Sequence, residues 1–254
     1  MIIKDCCRRQ GQHKYLQPLG LLLISMCLLL ACHDKHTVIV AGSTSVQPYA
    51  EILAEEFMII NPKNIIDIQG GGSSAGITAV ETGTADIGMS SRALKDSEQH
   101  LWSIEIAKDG LALIVNPRNP INNLTIEQTR SIYTAEIKNW NELGGVNAKI
   151  HIIAREEGSG TRSAFEELMM AGQRITPRAI VQDSNGAVKQ LVADDPHSIG
   201  FLSLGLADDT VKALYLDGVP ATRENIIDGT YKLYRPFLFV CAVDDIFACC
   251  GNAV

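Results

Sequence analysis

Three short loops in this sequence share one chemical design. Residues 41–45 (Ala-Gly-Ser-Thr-Ser), 70–76 (Gly-Gly-Gly-Ser-Ser-Ala-Gly) and 158–161 (Gly-Ser-Gly-Thr) each follow an apolar run and precede a helical pattern. Glycine lets a backbone approach a ligand closely, hydroxyls add donors, and the free N–H groups of a helix start carry partial positive charge. Alone, the first loop would be interpreted as a turn with a helix cap and the second as a flexible bend. Three of them together indicate a small oxyanion held between helix N-termini.

Arg155 comes just before the third loop and is a candidate charged contact for such an anion. Its planar guanidinium presents a fork of donors that fits two oxygens of one oxyanion. A lone arginine is by default paired with a surface carboxylate, and Glu156 is its neighbour in the chain, so this alternative stays open. Arg92, which follows the apolar segment 85–89, has the same two interpretations.

The sequence contains no motif of the common enzyme classes. The six histidines show no metal-binding spacing such as His-Glu-x-x-His, and no nucleotide-binding Gly-Lys-Ser/Thr occurs. Gly158-Ser159-Gly160 lacks the flanking pattern of a Gly-x-Ser-x-Gly nucleophile elbow. The sequence therefore predicts a binding protein with no catalytic residue, no metal and no cofactor. A secreted serine hydrolase or phosphatase is the less favoured alternative.

The first 31 residues have the composition of a secretory leader. Four basic side chains lie among the first 14 residues, and residues 19–30 form an apolar run too short to span a bilayer. The leader ends in Leu-Leu-Ala-Cys at 29–32, which resembles a bacterial lipobox and implies lipidation of Cys32. An uncleaved signal anchor is the alternative. In both cases we expect the folded part outside the cytoplasm, tethered to a membrane.

Acidic side chains outnumber basic ones in the rest of the chain. The full sequence has a net charge of −7, and without the leader the remaining 223 residues carry −10. This balance argues against electrostatic binding to nucleic acid or to an anionic lipid surface. It remains compatible with a buried anion site, because salt screens exposed charges over about 8 Å while local dipoles and arginines act within a cleft.

Strand and helix patterns alternate along the chain after the leader. The sequence predicts strands at 37–40, 65–68, 85–89, 111–115, 150–154 and 198–202. This alternation implies parallel sheets with ligands at the carboxyl ends of strands. The three loops fall on both sides of an Asn- and Pro-rich segment, 116–120, where the chain is expected to cross over. We therefore expect two lobes with the ligand between them.

The first predicted helix starts near Pro48 and ends before Asn61-Pro62. Large apolar residues recur along it at helical spacing, and we expect this stripe to face a core. The stripe consists of Tyr49, Ile52, Leu53, Phe57 and Ile60.

Five segments occur in a specific order and spacing between about residues 37 and 240. They are 41–48, 70–76, 85–92, 155–162 and 198–201. Each is a weak signal alone, but the ordered set resembles the phosphate-binding proteins of bacterial phosphate ABC transporters. The resemblance implies an α/β, two-lobed periplasmic-binding-protein (Venus-flytrap) fold, in which each lobe is a mostly parallel sheet flanked by helices.

The resemblance also implies a set of phosphate contacts, residue by residue. From the three loops and the arginine these are Thr44, Ser45, Ser73, Arg155, Ser159, Gly160 and Thr161. Ser91 stands where some members have an aspartate that accepts a hydrogen bond from protonated phosphate and helps reject sulfate. Arg92 beside it is expected to add a positive contact. Sulfate, molybdate or another tetrahedral oxyanion therefore stay open as ligands.

Domain limits and partners follow from the same resemblance. Residues 1–31 would be a lipoprotein signal peptide, 32–115 with 213–254 the first lobe, and 116–212 the second lobe. The implied partners are inorganic phosphate, ABC transporter permease subunits and a membrane reached through the lipid anchor, for a monomer at the periplasm or outer cell surface. An anchored phosphate sensor without a transporter is the alternative.

The C-terminal segment 245–251 matches nothing in the family pattern, which normally continues for a few tens of mostly helical residues. We therefore expect a C-terminus changed by truncation or a frameshift, and a weakened first lobe with an exposed apolar patch where the missing helix would pack.

Overall fold

The computed structural model describes residues 36–243 of the chain. The leader with Cys32, and residues 244–254, lie outside the described residues, so the expectations about signal, lipidation and C-terminus stay predictions. From Thr37 onward the described residues belong to one compact unit. Within residues 36–243, no helix is both long enough and apolar enough to cross a bilayer.

A mixed β-sheet forms the centre of the described residues. Its strand order is β2-β1-β3-β11-β4-β8-β6-β7, with β9 paired to β4, while β5 and β10 form a separate pair. The strands are β1 (His36–Gly42), β2 (Asn64–Gly70), β3 (Ile87–Ser90), β4 (Trp102–Val115), β5 (Asn123–Leu124), β6 (His151–Arg155), β7 (Ile180–Gln182), β8 (Ser198–Ser203), β9 (Lys212–Ala213), β10 (Tyr215–Leu216) and β11 (Tyr234–Cys241).

The flanks of this sheet contain parallel pairs, but its centre is antiparallel. β1 pairs in parallel with β3, and β6 does so with β7 and β8. In the centre, β11 is antiparallel to β3 and β4, and β4 is antiparallel to β8. The expected two-lobed α/β architecture is confirmed, with antiparallel strands joining the lobes. β4 pairs with β11 as far as Gly110 and with β8 from Leu111, so it crosses between them.

Six α-helices among the described residues flank the sheet. They are α1 (Gln47–Ile60), α2 (Ser73–Glu81), α3 (Ile126–Tyr133), α4 (Gly160–Met169), α5 (Asn185–Asp194) and α6 (Arg223–Ile227). Four of them start at a hydroxyl side chain that accepts a hydrogen bond from the first turn. Such caps fix where each helix begins, and hence where its free N–H groups point.

Helix α1 packs through small residues rather than large ones. Ala50 and Ala54 are buried, whereas Ile52 and Ile60 are 60% and 76% exposed. The expectation that the apolar stripe of this helix faces a core is therefore wrong. Alanine lets the helix approach the sheet closely, and Ile52, Leu53 and Ile60 lie on its exposed side. Tyr49 packs against Phe237, with ring centroids 5.8 Å apart. The first lobe thus exposes apolar surface on α1, and any relation of that surface to the C-terminus stays a prediction.

The largest hydrophobic cluster surrounds the aromatic rings of Phe165 and Phe201, which stack with centroids 4.1 Å apart. Tyr133 and Trp140 are buried in the same cluster. Residues from Leu214 to Leu233 also contribute to it, before the chain continues into β11. This packing does not test the predicted limits of the two lobes, which stay predictions.

Candidate anion-binding site

The three loops singled out in the sequence all precede helices. The first connects β1 to α1, the second connects β2 to α2, and the third connects β6 to α4. Ser159 caps α4, because its Oγ accepts a hydrogen bond from Arg162 N at 3.3 Å. The predicted placement of these loops at helix starts is therefore confirmed. The first turn of each helix therefore presents free backbone N–H groups, with their partial positive charge, to the loop that precedes it.

The first and second loops both contact the third. Ser45 Oγ lies 2.9 Å from Thr161 Oγ1, and both residues are buried. Ser74 N donates to the Gly158 carbonyl oxygen at 3.1 Å. Loops that are far apart in sequence therefore converge on one buried region, as the three-loop pattern predicts.

A second group of hydroxyls lies around Ser91. Ser43 Oγ donates to Ser91 Oγ at 2.8 Å, and Ser91 N donates to Ser73 Oγ at 3.0 Å. Gly160 lies against them: a Cβ atom there would overlap Ser73 Oγ and lie 2.6 Å from Ser91 Oγ. The start of α4 can approach these serines only because residue 160 has no side chain. Ser73, Ser91 and Gly160 are thus brought together, and they are joined by Ser43, which lies in the first loop but was not among the predicted contacts.

Arg155 lies between the third loop and the first. It is 1% exposed, and its Nη2 is 3.4 Å from Thr44 Oγ1. Nε and Nη2 each donate to the carboxylate of Glu156 at 2.9 Å, so the alternative of a carboxylate partner also holds. Nη1 is buried and has no hydrogen-bond partner among the described residues. A buried N–H without a partner costs free energy. An acceptor oxygen of a ligand would therefore be stabilised within hydrogen-bonding distance of Arg155 Nη1.

Arg92, another predicted contact, pairs with a carboxylate, while its Nε is buried and has no hydrogen-bond partner among the described residues. Its Nη1 and Nη2 donate to the two carboxylate oxygens of Glu98 at 2.7 and 2.8 Å. Its nearest link to the loops is Nη2 at 3.5 Å from Ser74 Oγ. The Arg92 hydrogen bond is also the largest cause of a lowered pKa at Glu98. Arg92 therefore supports the segment next to Ser91 through an ion pair.

A fourth loop of the same design was missed in the sequence. β7 is followed by Ser184, which caps α5, and α5 begins at Asn185. Asn185 is buried, and its Nδ2 donates to Ser45 Oγ at 2.9 Å and lies 3.3 Å from Thr44 Oγ1. The signal was present as an apolar Ile-Val run leading to Ser-Asn-Gly at 184–186. It was weaker than the others, because the run is short and only one glycine follows.

Arg235 was missed as well. It lies in β11 opposite Asp109 of β4, is 2% exposed, and its Nη2 donates to Ser45 Oγ at 3.1 Å. Asp109 accepts from Arg235 Nε at 3.0 Å and from Ser203 Oγ at 2.6 Å. No local motif marks Arg235, because its place depends on antiparallel pairing of strands that are distant in sequence.

The two buried guanidiniums are close enough to influence each other. Burial lowers the pKa of Arg235, the adjacent Asp109 opposes this shift, and Arg155 adds to it. Burial raises the pKa of Asp109, against the effects of Arg235 and of the Ser203 hydrogen bond. Arg235 Nη1, like Arg155 Nη1, has no hydrogen-bond partner among the described residues. Two buried guanidiniums with unused donors therefore lie at the first loop, Arg155 next to Thr44 and Arg235 next to Ser45.

This arrangement suits an anion rather than a cation. Its polar groups are mostly hydroxyls, guanidinium N–H groups and helix-start amides, which are the donors that oxyanion oxygens require. The three carboxylates at its border each accept a hydrogen bond from an arginine at less than 3.1 Å. They are Glu98, Glu156 and Asp109. Within the part of the chain that the structure describes, no cluster of three His, Cys, Asp or Glu side chains could hold a metal ion.

Comparison with known proteins agrees with this geometry. A family model described as the PBP superfamily domain matches residues 32–244. The phosphate-binding protein PstS of Borreliella burgdorferi is 30% identical over 234 residues, which cover 86% of this chain and 84% of that protein. This chain belongs to the PstS family of the PBP superfamily.

Other PstS relatives are similar over most of the chain. The phosphate-binding protein PstS of Bacillus subtilis is 36% identical over 200 residues, and the match covers 77% of this chain and 66% of that protein. A substrate-binding protein of a phosphate ABC transporter from Clostridium perfringens, solved with bound phosphate, is 43% identical with a TM-score of 0.81. That comparison covers 83% of this chain and 88% of the Clostridium chain. The resemblance identified from the sequence is therefore confirmed at the level of family and fold.

Proposed function

We propose that this protein captures inorganic phosphate between its two lobes and delivers it to the permease of an ABC transporter. The observation that carries the proposal is that four helix-start loops contact one another, and that the first of them lies against two buried arginines with unused N–H donors. Membership of the PstS family supports phosphate as the ligand. Phosphate is tetrahedral and rich in acceptor oxygens, so it can draw on donors from several directions at once.

The phosphate contacts predicted from the sequence come from three of the loops, from Ser91 directly after β3, and from Arg155. They are Thr44, Ser45, Ser73, Ser91, Arg155, Ser159, Gly160 and Thr161. Arg92 stays a proposed positive contact, because its Nε is buried without a hydrogen-bond partner among the described residues although both terminal nitrogens donate to Glu98. Arg235 joins this set, because its Nη1 is unused in the same way. Ser159 would act mainly through its backbone, since its hydroxyl caps α4.

Binding across two lobes would couple capture to closure. Charge-assisted hydrogen bonds contribute about 1.5–3 kcal/mol each and a helix start about 0.3–1 kcal/mol. Their sum over many contacts exceeds the roughly −8 kcal/mol of a micromolar complex. Dehydration of phosphate and ordering of the lobes would consume the difference. A permease could then distinguish the closed from the open shape.

The proposal includes a location outside the cytoplasm and a lipid anchor at Cys32. It rests on the leader composition and the lipobox-like residues 29–32. Radiolabelled palmitate should be incorporated into the expressed full chain, and Cys32→Ala should abolish that incorporation. Cys27→Ala, within the leader, is the matched control and should leave it intact. Equal labelling of the Cys32→Ala protein would refute the anchor.

Phosphate binding is tested by calorimetric titration of the purified protein. We expect saturable phosphate binding by a monomer, and stronger binding of phosphate than of sulfate or molybdate. Stronger sulfate or molybdate binding would favour the second candidate, a binding protein for another tetrahedral oxyanion, which Ser91 keeps open. Absence of binding for all three anions would refute both.

We propose a binding protein rather than an enzyme. Ser159 Oγ accepts from a backbone N–H, and His151, although 2.6 Å from Asp195, forms no hydrogen bond with Ser159. A serine hydrolase would need that histidine, or another base, next to the serine. Turnover of a phosphate or acyl ester that is abolished by Ser159→Ala would contradict this proposal.

A further inference from the structure

A cavity of about 250 Å³ opens to solvent at the amino ends of strands β6 and β7. Its apolar walls come from Ala135, Ile137, Ile150, Ile152 and Ile180. Ile150 and Ile152 are buried members of the largest hydrophobic cluster, whereas Ile180 is 47% exposed. The cavity therefore leads from solvent to apolar surface of that cluster, which is the environment that an alkyl group prefers over water.

This cavity is separate from the proposed anion site. Strands β6 and β7 run parallel, with Ile153 opposite Ile180 and Arg155 opposite Gln182. Arg155 ends β6 at the anion site, whereas His151 starts the strand and lines the cavity. Four steps along a strand correspond to about 13 Å. None of the residues that line the cavity is among the proposed phosphate contacts.

The rim of the cavity is cationic. Lys138, Lys149 and Arg178 are exposed lining residues, and among the described residues that line the cavity none is acidic. Within residues 36–243, the side chains of these three form no ion pair. The whole chain has a net charge of −7, so this rim differs in sign from the chain around it. A rim of this kind attracts an anionic group.

Two carboxylates near the rim accept hydrogen bonds from other groups. Glu142 accepts from the backbone N–H groups of Lys138 and Asn139 at 2.9 and 2.8 Å. These hydrogen bonds are the chief cause of a lowered pKa at Glu142, and the charge of Lys138 adds to them. Asp195 lies 2.6 Å from Nδ1 of His151. Lys138 and His151 therefore each already have a carboxylate nearby.

We propose that this cavity binds a small organic anion that has an alkyl body and a carboxylate head, the chemistry of a medium-chain fatty acid. Lys149 and Arg178, which form no ion pair within the described part of the chain, bind the head. The guanidinium of Arg178 presents paired N–H donors that fit a carboxylate. The isoleucines bury the alkyl chain. The volume of about 250 Å³ lies below the roughly 300–1,000 Å³ of sites for drug-sized molecules, so the ligand is smaller than these.

The test is an NMR titration of the purified protein with octanoate, observed at labelled isoleucine methyl groups. We expect saturable binding that shifts the methyl signals of Ile137 and Ile180. Ile60, which is exposed on α1, reports non-specific apolar contact and should not shift. 1-Octanol has the same chain without the charge, and acetate has the same head without the chain. Each should bind about tenfold more weakly than octanoate, or weaker still.

The contribution of the charged rim is tested by the double variant Lys149→Gln/Arg178→Gln. It should bind octanoate about tenfold more weakly than the wild type, in line with the loss of two exposed ion pairs. Lys63→Gln/Arg174→Gln, at two exposed cations that do not line the cavity, is the matched control and should leave the affinity unchanged. All four side chains are exposed, so both variants should unfold at the temperature of the wild type.

The contribution of the apolar wall is tested at two adjacent positions of β7. Ile180→Thr keeps a β-branched side chain but removes apolar surface from the cavity, and it should weaken octanoate binding about tenfold. Val181→Thr is the control, because Val181 is equally exposed but points to the opposite face of the strand and does not line the cavity. It should bind octanoate as the wild type does.

Several results would overturn this proposal. Wild-type protein that shows no saturable octanoate binding has no such site. Equal affinity for octanoate and 1-octanol, or wild-type affinity in Lys149→Gln/Arg178→Gln, would remove the charged rim from the binding. Displacement of octanoate by one equivalent of phosphate would assign the binding to the anion site instead. Failure of the proposed function is a separate result, because the octanoate titration requires no phosphate binding.

Discussion

Ser45 Oγ and Thr161 Oγ1 lie 2.9 Å apart, although 116 residues separate them in the sequence. Ser45 belongs to the loop before α1 and Thr161 to the first turn of α4. Asn185 and Arg235 also donate to Ser45, so this one hydroxyl connects four segments of the chain. Such convergence of buried polar groups on one point is what a ligand enclosed between lobes requires, and it makes the contribution of each segment testable.

Arg155→Ala should weaken phosphate binding by about 2–5 kcal/mol, because the change removes a buried charged partner of the ligand and leaves Glu156 unpaired. Calorimetric titration measures the loss. Arg223→Ala, at an exposed arginine of α6, is the matched control and should bind phosphate as the wild type does. Unchanged affinity in Arg155→Ala would remove this residue from the site.

Gly160→Ala should abolish or strongly reduce phosphate binding, because the new methyl group would overlap Ser73 Oγ and crowd Ser91 Oγ. The start of α4 would have to move away from both serines. Gly186→Ala is the control: it lies in the first turn of α5, and a Cβ there would meet no atom within 4 Å. If both alanine variants bind phosphate equally well, close approach at residue 160 is not needed for binding.

Asp109→Asn should destabilise the fold by about 3–5 kcal/mol, the range for breaking a buried ion pair, because Arg235 would keep its charge without its carboxylate. Urea unfolding provides the measurement. Asp208→Asn removes the partner of Lys189 in an exposed pair and should change stability little. A stability loss no greater than that control would show that the Asp109–Arg235 pair does not hold β4 and β11 together.

The Arg92–Glu98 pair should make stability depend on acidic pH. The pKa of Glu98 is lowered from 4.5 in the folded protein, chiefly by the Arg92 hydrogen bond. The pair therefore stabilises the fold fully above pH 4.5, and this stabilisation is lost as the pH falls through the lowered folded value. The free energy of unfolding should differ between wild type and Glu98→Gln at neutral pH, and the difference should shrink with acidification. The exposed Glu55→Gln is the control, and a pH-independent difference would contradict the assignment.

The three loops and the family could be predicted because their signals are local. Each loop combines an apolar run, small or hydroxyl residues and a helix start within a few positions, so the chemistry of residues 41–45, 70–76 and 158–161 can be recognised without the fold. The buried positions of Ser45, Ser73 and Thr161 agree with that interpretation.

The remaining features depend on pairing between distant segments. Arg235 joins the site only because β11 runs antiparallel to β4, and no local pattern in the sequence says which strands pair. The pairing of Arg92 with Glu98 could not be predicted, because no local motif in the sequence marks Glu98 as its partner. The large apolar residues of α1 do recur with the helical period. Periodicity does not say, however, whether the face with the large residues or the face with the alanines packs against the sheet.

A crystal structure of the protein grown with phosphate tests the central claim most directly. The account predicts tetrahedral density between the loops, within hydrogen-bonding distance of Ser45, Thr161 and Arg155 Nη1. Density for phosphate at another place, or loops that point away from one another in the liganded protein, would contradict it.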